Sequence, residues 1–335
     1  MEKRDFLKSM TGLTAGVLLP FKGPAGNMKN RDRLGEILPL RKLGKTGKEV
    51  TMLGVGGYHV GWTTERDAQE VIEAALEGGV RFFDNAESYG PHTGEIRYGK
   101  YLTPKYRDLV FLMTKSFSKD VKTARKHFEE SLKRMNTDYL DLWQIHSLQS
   151  PEDVDVRLKD GFLELVRELK ESGKVKHVGF TGHADPNAHV RMFEQSKDTD
   201  IFDTVQMPVN LVDMSYHESF FKKVFPLAME KNMAVLAMKT LADGRFFSKK
   251  DMNGKEVWKS DDPAVGRISL KEALYFVWSL PVSVLITGAE NATLIREKIE
   301  LARNFKPQTE KEREKLIKKV ADLAEGGKIE YYKAV

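Results

Sequence analysis

At 335 residues, with 41% hydrophobic and 31% charged side chains, the chain has a globular composition and the length of one large barrel or two ordinary domains. Its net charge of +5 comes from mixed-sign stretches, which argues against a nucleic-acid partner. Cysteine is absent, so disulfides, thiol nucleophiles, cysteine-ligated zinc and iron–sulfur clusters are excluded.

In chain order, residues 1–26 read as an address. Lys3-Arg4-Asp5-Phe6-Leu7-Lys8 resembles a twin-arginine export signal with Lys in place of the first Arg. A mildly apolar stretch and small residues around Pro24-Ala25-Gly26 follow it. The expectation is an export leader and a periplasmic protein; the alternative is a basic tail on a cytoplasmic one. No stretch approaches the ~18 apolar residues that span a bilayer, so no membrane span is expected. Residues 38–335 are expected to form a single domain.

Leu40 to Val50 has Gly-containing turns between short apolar groups and predicts a hairpin. TMLGVGG then reads as a strand entering a glycine-rich loop, and Thr64-Glu65-Arg66-Asp67 as a helix start. Ala68, Val71, Ile72 and Ala75 recur at i, i+3, i+4 and i+7, and Gly78-Gly79 ends that helix. Further helices are predicted at 120–135, 160–172, 186–196, 217–230, 268–279 and 291–304. Strand-like runs end near residues 55, 84, 115, 146, 181, 207, 239 and 287. Eight βα units at roughly 30-residue spacing predict an α/β fold, a closed (β/α)8 TIM barrel with an N-terminal β-hairpin and an extra C-terminal helix at 308–324. A polar insertion after residue 240 is placed to cover the barrel mouth.

Three strand ends carry chemistry: VRFFD ends at Asp84, DLVFLMTK at Lys115 and YLDLWQIH at His146, with Tyr89 in the loop after Asp84. Strand C-termini of such a barrel converge on one face. A phenol is a poor proton donor near neutrality unless its anion is stabilised; a neighbouring ammonium held by a carboxylate does that, and an imidazole can polarise a carbonyl. Each residue alone has a bland reading as a cap, loop aromatic or core His. Together on three adjacent units they predict an acid–base site.

At these residues the chain resembles the aldo-keto reductase family, over about Leu40 to Glu300. FFDNAESYG, FLMTK and LWQIH carry the motifs. The resemblance implies an NAD(P)H-dependent oxidoreductase interconverting an aldehyde or ketone, including sugars, and an alcohol. Tyr89 would be the general acid, Lys115 and Asp84 its tuning pair, and His146 the carbonyl-orienting group. It also implies cofactor contacts from Thr181, His183, Gln206, Met238, Lys239, Leu241, Gly288 and Asn291. Gly182-His183 replaces the family's usual Asn, and Met238 stands where an aromatic usually stacks on the nicotinamide. Glu290 disfavours a 2′-phosphate, whereas the family resemblance implies NADP(H); NADP(H) is expected, with NAD(H) as the alternative. No Rossmann fingerprint is present.

Tyr58, Trp62 and Phe117 are expected to line the substrate pocket, with Phe246, Phe247 and Trp258 of the insertion contributing. His177, His183 and His189, spaced by six, do not share one face, and no metal site is expected. Two other readings compete. One is a Schiff-base aldolase using Lys115 or Lys239; the other is a non-catalytic NAD(P)-binding, redox-sensing subunit. A small-molecule carbonyl or alcohol is the expected partner; oligomeric state is left open.

Overall fold

A computed structural model describes residues 30–247, 264–327 and 329–333. The proposed leader and Trp258 lie outside the described residues. Eight strands, Leu53–Gly56, Phe82–Asp84, Phe111–Ser116, Leu140–Ile145, Val175–Thr181, Thr204–Pro208, Ala234–Met238 and Val284–Thr287, form a closed barrel. They are called the first to eighth barrel strands below. Neighbours are parallel throughout, and Leu285 pairs with Leu53 to close the ring.

The predicted hairpin pairs Leu40–Lys42 with Glu49–Thr51. Its Leu43 and Val50 join Phe82, Met113, Leu142, Leu236, Val284 and Ile286 in one buried cluster. Side chains of alternate strand positions thus fill the barrel interior, and the hairpin stoppers that cluster. The outer core contains the opposite strand faces, such as Phe83, Leu112, Trp143 and Val205, packed under the helices.

Most predicted helices form at nearly the expected places. Glu65–Glu77 starts with the Thr64 hydroxyl accepting from the Asp67 N–H, and buries Ala68, Val71, Ile72 and Ala75 as its periodicity requires. The expected helix over 217–230 instead splits into Phe220–Lys223 and Phe225–Glu230. Pro226 explains the break, because it has no N–H and its ring clashes with the preceding turn.

The C-terminal helix spans Glu310–Val320, capped by a reciprocal Thr309–Glu312 box. Beyond it, residues 329–333 run back to the C-terminal ends of the fifth to seventh strands. Phe246, expected as a substrate wall, is buried in the core with Phe247 packed against it.

Candidate active site

The strand ends bring Asp84, Lys115 and His146 together, and the loop after Asp84 adds Tyr89. That loop is seated by backbone contact with the preceding one. Gly90 has φ of +62°, and a Cβ there would overlap the Gly61 carbonyl, so only glycine allows the approach. The Lys115 ammonium is fully buried, lies 2.5 Å from Asp84 Oδ1 and donates to the Asn85 carbonyl at 2.6 Å. It also faces the Tyr89 hydroxyl at 3.4 Å. The His146 ring stands edge-on to Tyr89, centroids 5.8 Å apart, and its Nδ1 is buried without a partner.

Electrostatics give these groups distinct protonation states. Burial would neutralise Lys115, but the facing Asp84 carboxylate and then Tyr89 outweigh it and raise its pKa, so the amine stays charged. Asp84 is raised by burial against the opposing pull of Lys115. Burial also raises Tyr89, with Lys115 the largest opposing influence. The phenol therefore holds its proton at neutral pH until a developing charge draws it off. Burial, then Lys115, His183 and Arg157, push His146 well below the usual imidazole value, leaving the ring neutral.

The pocket residues expected from sequence surround this cluster. Tyr58 lies edge-on to Tyr89 at 5.5 Å and 6.2 Å from Trp62, and both Tyr58 and Trp62 are more than half exposed. Phe117 follows the third strand and stands edge-on to His146 at 6.4 Å. Its backbone N–H donates to the buried Glu87 carboxylate at 2.7 Å. Glu87 in turn meets His127 at 2.8 Å. Asn85, Glu87 and Arg157 escaped the sequence reading. Asn85 and Glu87 sit inside the FFDNAESYG motif, so adjacency was an available signal; Arg157 had none.

The cofactor candidates occupy the other half of the mouth. Thr181 is buried at the end of the fifth strand, where its carbonyl accepts from Leu148 N–H at 2.9 Å. Gln206 is buried in the sixth strand with Oε1 unpartnered. Met238 ends the seventh strand, and Lys239, at φ of +54°, binds Asp243 at 3.0 Å. Leu241 precedes the turn Ala242–Gly244 and packs against the core. Gly288 admits the His59 ring, which a Cβ would strike, and its carbonyl accepts from buried Lys298 at 2.5 Å. Burial pushes Lys298 down to about 8. Asn291 caps the helix Ala292–Arg303, its side chain accepting from Leu294 N–H.

The tail reaches the same half, which the sequence did not reveal. The His183 Nδ1 lies 3.3 Å from the Tyr332 carbonyl, and the Lys239 ammonium stands over the Tyr332 ring at 5.0 Å. Buried Lys333 ties the tail down, meeting Asp213 at 2.6 Å and Glu330 at 2.5 Å, while Asn210 donates to Glu330 at 2.8 Å. The three spaced histidines go separate ways. His177 faces Asp203 at 3.5 Å, and His189 packs edge-on against Phe180 and Phe220.

A closed parallel barrel with a buried Lys–Asp pair, phenol and imidazole at its C-terminal mouth defines an acid–base enzyme architecture. The Aldo/keto reductase family model matches residues 52–305. The chain belongs to this family and is an oxidoreductase of carbonyl compounds; the family generally uses NAD(P)H. It is 30% identical over 234 residues to aldo-keto reductase YhdN of Bacillus subtilis (strain 168), covering 65% of this chain and 66% of the relative. An uncharacterized oxidoreductase of the same organism, YcsN, is 27% identical over 269 residues, 72% of this chain and 83% of its own. In fold it is similar to the holo form of an aldo-keto reductase from Bacillus halodurans. The TM-score is 0.66 and the identity 22%, over 84% of this chain and 96% of the other.

Proposed function

We propose that the protein is an NAD(P)H-dependent reductase of an aldehyde or ketone, sugars included, with Tyr89 as general acid. The observation that carries this reading is the buried Asp84–Lys115 pair facing the Tyr89 hydroxyl, with a neutral His146 beside it. Nicotinamide, when bound, supplies hydride to the carbonyl carbon. Tyr89 gives its proton to the carbonyl oxygen, and Lys115 stabilises the phenolate that forms. Asp84 keeps Lys115 charged and in place. His146, uncharged, orients the carbonyl oxygen by a hydrogen bond.

The cofactor half supports the same reading. Gln206 offers a buried, unpartnered Oε1, which fits a carboxamide N–H donor. Thr181, His183, Met238, Lys239, Leu241, Gly288 and Asn291 are assigned to the rest of the cofactor site, with Met238 as a polarizable platform in place of an aromatic ring. We assign NADP(H) as the preferred nucleotide and NAD(H) as the alternative, which a competition titration of NADPH against NADH decides. Arg296, on the helix after the eighth strand, is the cation that could reach a 2′-phosphate there; it faces Glu77 at 3.7 Å, which favours the NAD(H) alternative.

The aldolase reading needs a neutral amine. Lys115 is held charged by Asp84 and Lys239 is paired with Asp243 at 3.0 Å, which speaks against it, and borohydride should trap no substrate adduct. The decisive experiment on catalysis is Tyr89→Phe. It should lower NAD(P)H-dependent carbonyl reduction by about 10²-fold or more while leaving nucleotide affinity intact. Unchanged turnover would remove Tyr89 from the acid role and revive the non-catalytic, redox-sensing reading.

We further propose that residues 1–26 export the folded 38–335 unit to the periplasm, with its nucleotide already bound. Fractionation of cells expressing the full chain tests this, and a wholly cytoplasmic protein would refute it.

A further inference from the structure

Among the described residues Arg157 is one of the largest fully buried side chains, and it meets the proposed tetrad at backbone, through the His146 carbonyl. It ends the helix Pro151–Arg157, which follows the fourth barrel strand. Its guanidinium donates to the His146 carbonyl at 2.8 Å and the Ser147 carbonyl at 3.3 Å. Ser147 lies at φ of +58°, a left-handed conformation that residues with a Cβ rarely adopt. The same guanidinium stacks over the Phe117 ring at 4.9 Å, and Nε is held by Asp153 at 3.0 Å. One planar cation thus grips the backbone that aims His146 and the aromatic wall beside it.

We propose that Arg157 is a positioning residue for the reaction: it locks the turn carrying His146 and, through its face, the Phe117 wall, so that carbonyl and imidazole meet in one geometry. A Lys cannot reproduce the grip, because its single ammonium lacks the flat fork that serves two carbonyls and a ring at once. The charge also acts on the imidazole. Around His146 stand Tyr89, Lys115, His183 and Arg157, and the last three each oppose its protonation.

Full-length R157M and R157K test this with two readouts: reduction of 4-nitrobenzaldehyde, and NMR titration of the His146 imidazole. The rate readout rests on the reductase reading above, whereas the titration does not. R157M should lower kcat about tenfold or more with KM for the nucleotide unchanged, and His146 should titrate at higher pH. R157K should restore the titration and leave kcat depressed. A folded R157M with either kcat or the titration at the wild-type value overturns the proposal. If R157M does not fold, R157K decides, and wild-type kcat in R157K overturns it. If the wild-type protein reduces no carbonyl, the reductase reading falls, and a moved or unmoved His146 titration supports or overturns the role of Arg157.

Discussion

The two halves of the barrel mouth are held by different means. The half formed by the second to fourth strands is held from within: Lys115, Asp84 and the Asn85 carbonyl lock one another at 2.5 to 2.6 Å under complete burial. The half formed by the fifth to eighth strands is held from outside, by a tail whose Lys333 bridges Asp213 and Glu330. Two carboxylates share that one ammonium. Burial and Asp213 raise Glu330 while Lys333 opposes them, and Tyr332 donates to Glu330 at 2.7 Å. Acid–base chemistry demands fixed sub-ångström geometry, which a buried pair provides. The proposed nucleotide site, which must admit and release its ligand, would be better served by a removable cover.

The strongest test of this contrast is Lys115→Met. It leaves Asp84 buried without its cation, so unfolding free energy should drop by about 3 to 5 kcal/mol and carbonyl reduction should be lost. A stable, active Lys115→Met would erase the distinction between the halves. Next comes acid. His189, behind the cofactor half, is lowered to about 4 by burial, against an ordinary 6.5. The folded state therefore binds fewer protons than the unfolded state below 6.5. Stability is full above that value and falls by roughly 3 kcal/mol as the pH drops toward 4. Urea unfolding at several pH values should reveal this slope, and His189→Phe should lessen it, leaving the share due to His146 and His183, whose pKa values burial also lowers.

Lys333→Met is expected to cost about 2 kcal/mol, less than a core pair, because a tail can peel away and rehydrate its carboxylates. Its sharper consequence is faster nucleotide release, with kcat at saturating nucleotide preserved; stopped-flow fluorescence separates the two. Equal damage to kcat would show that the halves are not independent. The smallest effect is Gln206→Ala, which would remove the proposed carboxamide contact and should weaken nucleotide binding by about 1 kcal/mol.

Much of the site was legible because barrel strands are short, apolar and end abruptly in polar residues. Asp84, Lys115 and His146 each interrupt such a run, and Lys is rarely buried without a partner. The grouping of four groups on three successive units needed only the βα period. Arg157 was invisible because its target is backbone: carbonyls have no residue identity, and nothing in LKD or DVR marks the His146 turn. Phe246 was misread because an aromatic in a loop carries no label for the face it will bury.

By itself the sequence determined the barrel, its N-terminal hairpin and the convergence of the tetrad, since periodicity and strand ends are local properties of the chain. Tertiary structure alone decided the rest. It placed Tyr332 against His183 across 149 positions, set Lys333 between Asp213 and Glu330, and kept the Tyr89 proton in place through burial. Such contacts join residues far apart in the chain, and desolvation depends on everything that surrounds a group. Neither is written in the spacing of residues along one strand or helix.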